Sequence, residues 1–219
     1  MNMPTLPDVL KPRLRGHLHR ASAPVALAGG VVLAILAPSH RRLAVLVYAV
    51  SMTALFTISA TYHCGTWAAR VRAALRRADH STILVFIAGT FTPLAVTETH
   101  GRLRVLLLAC MWGAAAAGVA VRMVWHHATS AWTAAVYTVV GISSASVLPM
   151  VWERSGVAPF LLLAVGGLTY LVGAVVYARR RPDPRPTVFG YHEVFHVLTV
   201  IAAALQYAGI SLVVLSTPA

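Results

Sequence analysis

Seven apolar runs follow one another along the chain, at 22–39, 43–63, 80–97, 103–121, 131–149, 157–178 and 191–215. Each is bounded by charge, proline or glycine. About 20 apolar residues in a row are what a helix needs to cross the hydrocarbon core. The runs lack the strict in–out alternation of barrel strands, and open strands cannot span lipid. The pattern therefore predicts an all-α membrane protein, a bundle of seven transmembrane helices. Residues 1–21 read as a basic cytoplasmic tail, 22–215 as the transmembrane domain and 216–219 as a short external tail. Pro93 falls inside the third span and Pro149 ends the fifth, positions that membrane helices tolerate. The first span mimics a signal peptide, with a basic segment ahead of an apolar one, but its cleavage candidates around Ala37 and Pro38 are poor.

Composition agrees: 58% of residues are hydrophobic and 11% charged, against about 25% charged in a typical soluble domain. The net charge of +12 would point to nucleic acid in a soluble protein. Here the arginines sit between apolar runs, so the expected partners are anionic membrane lipids and not nucleic acid. Two cysteines, Cys64 and Cys110, are too few for a disulfide framework.

Of the 18 basic residues, 13 fall on one side of the predicted bundle, including Lys11 to Arg20, Arg70 to Arg77, Arg122 and Arg179 to Arg185. Positive residues stay inside, so the N-terminus is expected in the cytoplasm and the C-terminus outside, in a cell membrane. The basic run at 179–186 reads as a stiff, solvated connector.

Ionisable side chains within membrane helices are costly and usually functional. They concentrate in three spans: Ser59 and His63 close span two, Asp79 and His80 open span three, and His192, Glu193 and His196 open span seven. Span two runs inward while spans three and seven start inside, so all three groups share one depth. Ser59 and His63, like His192 and His196, are four residues apart and share a helix face. Two imidazoles one turn apart are half of a zinc site; His63 would supply a third ligand, leaving the open geometry of catalytic zinc. Asp79 would then hold and deprotonate a zinc-activated water, and Ser59 would assist substrate or water. Blander readings stand beside these: Asp79 as the N-cap of span three, and Glu193 as a solvated first-turn acid. His17, His19, His40, His100, His126 and His127 read as solvated tail or loop residues. The Ser143–Ser146 stripe and Gly166–Gly167 read as helix-packing surface.

The segments SATYH (59–63), RRADHSTILVFIAGTFTP (76–93) and GYHEVFH (190–196) together resemble the hemolysin III family, the bacterial branch of the progestin and adipoQ receptor group. The resemblance covers nearly the whole chain. It implies a Zn2+ ion on His63, His192 and His196, with Asp79 contacting the metal-bound water and Ser59 nearby. In the receptor branch such a site is linked to ceramide hydrolysis, so a zinc-dependent hydrolase of a lipid amide or ester is the leading expectation. Pore formation or cytolysis, which the family name implies, and a zinc-stabilised receptor or sensor are the alternatives. His192-Glu193-Val194-Phe195-His196 also matches H-E-x-x-H, in which the glutamate is the general base of a zinc protease. No carboxylate follows Glu193 to complete such a site.

Overall fold

The computed structural model describes residues 11–124 and 130–216. They form α1 (His17–Leu36), α2 (Ser39–Cys64), α3 (Ala69–Glu98), α4 (Gly101–Val124), α5 (Ser130–Ser143), α6 (Leu148–Ser155), α7 (Val157–Arg179) and α8 (Tyr191–Ser216). Seven segments are long and apolar enough to cross a membrane. The fifth is composite: α5 and α6 are joined by a 3-10 turn over Ser144–Val147. Pro149 thus starts the last piece of this span, at a first-turn position where its missing N–H leaves no bond broken. The outer faces carry exposed Val25, Ile35, Leu43, Val105, Val139 and Leu168. Such an apolar exterior suits lipid, where nothing competes for hydrogen bonds.

Two helix starts differ from the apolar pattern. α3 begins at Ala69, well ahead of the apolar run, because its first three turns are mostly alanine and arginine, both strong helix formers. What reads as a 64–79 loop is therefore mostly helix, and Asp79 lies inside α3 and not at its cap. α1 likewise begins at His17, ahead of the apolar run at 22.

α2 packs against both α1 and α3, and α8 against α7, with α8 also reaching α1 and α3. Close approach depends on small residues. A side chain on Gly89 of α3 would strike Ser51 of α2, and one on Gly30 of α1 would strike Ala49. Gly166 of α7 meets Gln206 of α8, as a packing surface should.

Polar groups gather at both ends of the bundle. At one end Arg41 Nη1 donates to the Val214 carbonyl over 2.9 Å and Ser155 Oγ to Glu98 over 2.5 Å. Asp79 marks the other end of α3. Nineteen helical residues separate it from Glu98, about 28 Å at 1.5 Å per residue. That is close to the ~30 Å hydrocarbon thickness, so the two polar layers have the spacing of the two bilayer boundaries.

Candidate metal centre

At the Asp79 end, the last turn of α2, the third turn of α3 and the first turns of α1 and α8 meet. The sequence segment before α1 seals this end. Arg13 and Leu14 donate backbone hydrogen bonds to the carbonyls of Thr187 and Val188, at 3.0 and 3.1 Å. Gly16 then turns the chain into α1 with φ +83, and a Cβ there would lie 2.6 Å from His63 Cβ. Only glycine meets both the left-handed backbone and the lack of space.

Beneath this strap, His63, His192 and His196 converge. One nitrogen from each ring lies within 4.8 Å of those from the other two. His63 Nε2 and His192 Nε2 are 3.2 Å apart, and the three ring centroids are separated by 4.6–5.2 Å. The set fits a metal on two counts. Two nitrogens ~2.0–2.1 Å from a tetrahedral zinc stand roughly 3.3–3.4 Å from each other, near the observed pair. His196, 2% exposed, also keeps a buried Nδ1 with no hydrogen-bond partner, an unsatisfied group that a buried site ordinarily does not retain.

Asp79 stands beside the triad, its Oδ2 3.7 Å from His63 Nε2 and 3.7 Å from His80 Nδ1. His80 is turned away to the Arg76 carbonyl at 2.8 Å. Ser59 hydrogen-bonds to His19 Nδ1 at 2.8 Å and interacts with the neighbouring Asp79 carboxylate. The structure therefore brings Ser59, His63, Asp79, His192 and His196 together at one level of the bundle.

Two expectations change, one for a histidine and one for a glutamate. His19 is not a solvated tail residue: it is 2% exposed and stacked on His196, with ring centroids 3.8 Å apart and an interplanar angle of 16°. Its burial follows from the early start of α1, because His19, Ala26 and Leu33 recur at seven-residue spacing on the buried face. The seven-residue spacing, traced back from Leu33 through Ala26, is the signal that could have found His19. His17, His40 and His100 are exposed as expected, while His126 and His127 lie outside the described residues.

Glu193 is not a solvated acid either. It is fully buried, pairs with Arg15 Nε, and accepts the Gly190 backbone N–H at 2.7 Å. Its carboxylate is consumed in fastening the strap to α8, which removes it from the general-base role that H-E-x-x-H would give it. Cys64 faces the Arg15 carbonyl, and it and Cys110 are free thiols.

The site opens into a cavity of about 420 Å³ that runs along α3 from Asp79 past Ile83 and Phe91 to Leu94. Fifteen helical residues make that about 22 Å. Its polar end holds His19, Ser59, Asp79, His80, His192 and His196; the rest is mainly apolar. Ser144, Ala145 and Gly167 face this cavity, so those positions do more than pack helix against helix.

The comparisons with known proteins agree with this architecture. A family model described as haemolysin-III related matches residues 8–207. "Hemolysin-3 homolog" of Bacillus subtilis (strain 168) is 29% identical over 162 residues, 74% of this chain and 72% of that protein. "Hemolysin-3" of Bacillus cereus is 26% identical over 203 residues, 91% of this chain and 90% of that protein. With a matching family model over almost its full length and seven apolar helices, the chain is a multi-pass membrane protein that belongs to the haemolysin III-related family.

Proposed function

We propose that this protein is a zinc-dependent hydrolase of a lipid amide or ester, acting at the cytoplasmic boundary of a bacterial plasma membrane. The observation that carries the proposal is the continuity between the histidine–carboxylate cluster and a largely apolar cavity about 22 Å long. A soluble substrate has no use for such a slot, whereas a lipid presents a polar linkage at the interface and an acyl chain below it.

His63, His192 and His196 would hold the ion. When bound, zinc supplies Lewis acidity and an activated water at neutral pH. Asp79 accepts the proton of the attacking water at Oδ2 and later returns it to the leaving amine or alkoxide. Ser59 orients that carboxylate through its hydroxyl. Ile83, Phe91 and Leu94 receive the acyl chain and keep bulk water from the cluster. The asymmetry of basic residues supports a cytoplasmic N-terminus, which puts this face toward the cytoplasm.

A second reading takes the relatives' name literally, as lysis through pore formation. The chemistry of the cluster favours the first, since a pore needs no converging imidazoles. A sensor without turnover remains the third. The deciding experiment uses purified protein in detergent with a long-chain N-acyl amide. Wild type should cleave it, and Asp79→Asn should keep zinc but lose turnover. Lysis that persists when all three histidines are replaced, with no hydrolysis by wild type, would establish the pore instead.

A further inference from the structure

His19 touches two other helices at the level of the candidate metal centre, and a third through Ser59. Its ring lies flat against the ring of His196 on α8, at 3.8 Å. Phe56 of α2 packs edge-on at 5.1 Å. Its Nδ1 meets Ser59 Oγ, also on α2, at 2.8 Å, and Ser59 in turn interacts with the Asp79 carboxylate on α3. His19 is not among the three residues whose nitrogens converge.

The hydrogen-bond direction follows from counting protons. Ser59 has one to give, and an ionised carboxylate has none. With Asp79 ionised, Ser59 turns its proton towards Asp79, and its oxygen accepts from His19 Nδ1–H. In that state His19 carries its proton on Nδ1, and Nε2, buried and without a partner, is a bare lone pair.

We infer that His19 is a positioning residue of the metal centre, one that sets the ring plane of His196 by stacking and the orientation of Asp79 through Ser59. The inference rests on the metal reading proposed above. Groups just outside a metal's ligands characteristically fix ligand orientation, and losing them costs about 10–100-fold in metal affinity or activity. Here one side chain serves a ligand and the carboxylate at once.

Three variants separate the two contacts. His19→Ala removes both, His19→Phe keeps a flat ring for the stack, and His19→Asn keeps an N–H donor. Zinc affinity is measured by chelator competition, beside thermal unfolding of the zinc-stripped proteins. His19→Ala should bind zinc about 10–100-fold more weakly than wild type, and His19→Phe should recover most of that loss. Turnover should recover in part with His19→Asn. Nitrogen-15 NMR of labelled histidine gives a readout free of both metal and folding variants. In zinc-stripped wild type, at a pH that keeps Asp79 ionised, His19 should carry its proton on Nδ1, and Ser59→Ala should shift that resonance.

Wild-type affinity in His19→Ala, with unchanged unfolding of the stripped form, would overturn the inference. A proton on Nε2 of wild-type His19 would overturn it as well, even if His19→Ala does not fold. Wild type that takes up no zinc defeats the metal reading itself, a failure read from a different number.

Discussion

His63 Nε2 and His192 Nε2 stand 3.2 Å apart although 129 residues separate them in the chain. No interaction between two neutral imidazoles accounts for a third, His196, closing on the same point. The zinc ion proposed above would account for it. Replacing any one of the three with Ala should lower bound zinc from about one per chain towards none, since two ligands make a poor zinc site. Elemental analysis of protein purified without chelator measures this directly. Zinc in excess should raise the unfolding temperature of wild type and leave the variants unmoved, because ligand that binds only the native state stabilises it. Equal metal content in all four proteins would remove the triad as the site.

Arg15 and Glu193 fasten the strap before α1 to the start of α8. Glu193 is fully buried, while the Arg15 side chain keeps 19% of its exposure. Taking away one partner of a buried pair costs about 3–5 kcal/mol, and partial exposure of Arg15 brings this one towards or below the lower bound. Arg15→Ala should therefore unfold at clearly lower temperature than wild type. Glu193→Gln keeps an oxygen for one of its two donors, Arg15 Nε or Gly190 N–H, turns its NH2 towards the other and leaves no buried charge unpaired, so it should lose less. If the two variants unfold together with wild type, the strap is not held by this pair.

The bundle was legible in the hydropathy because a lipid-crossing helix needs a long apolar run and little else. The same reasoning placed His63, Asp79, His192 and His196 at one depth, since alternating spans bring those ends to a common boundary. Helix starts were not legible. The arginine-rich turns before Asp79 and the basic turn holding His19 are helical yet carry no apolar signature, so they read as loop and tail. Burial of Glu193 was hidden for another reason: it depends on Arg15, a partner 178 residues away. The break over Ser144–Val147 escaped because a serine stripe in a membrane helix looks the same whether it packs or lines a cavity.

Gly16 couples chain direction to the metal centre. Its φ of +83 alone would cost any other residue about 1–2 kcal/mol, and a Cβ would sit 2.6 Å from His63 Cβ. Gly16→Ala should lower the unfolding temperature and also weaken zinc, because His63 or the strap must move. A substitution at Gly113, where a Cβ meets nothing within 4 Å, is the matched control and should do neither.

The cavity gives the sharpest test of what the centre is for. Gly167 of α7 faces it, and a Cβ placed there meets nothing within 4 Å. Gly167→Leu therefore seats its Cβ without a clash, and the rest of the side chain adds volume to the slot. None of the ligands, nor Asp79 or Ser59, lies on α7, so zinc content and unfolding temperature should match wild type. If the slot holds an acyl chain, long-chain amide substrates should be cleaved about 10–100-fold more slowly, because displacing a bound reactant by about 1 Å already carries a cost of that order. Short-chain substrates, which do not reach Gly167, should be cleaved at the wild-type rate. Loss of both classes together would mean that the substitution acts through the polar end. Loss of neither would mean that the cavity is not where the substrate lies.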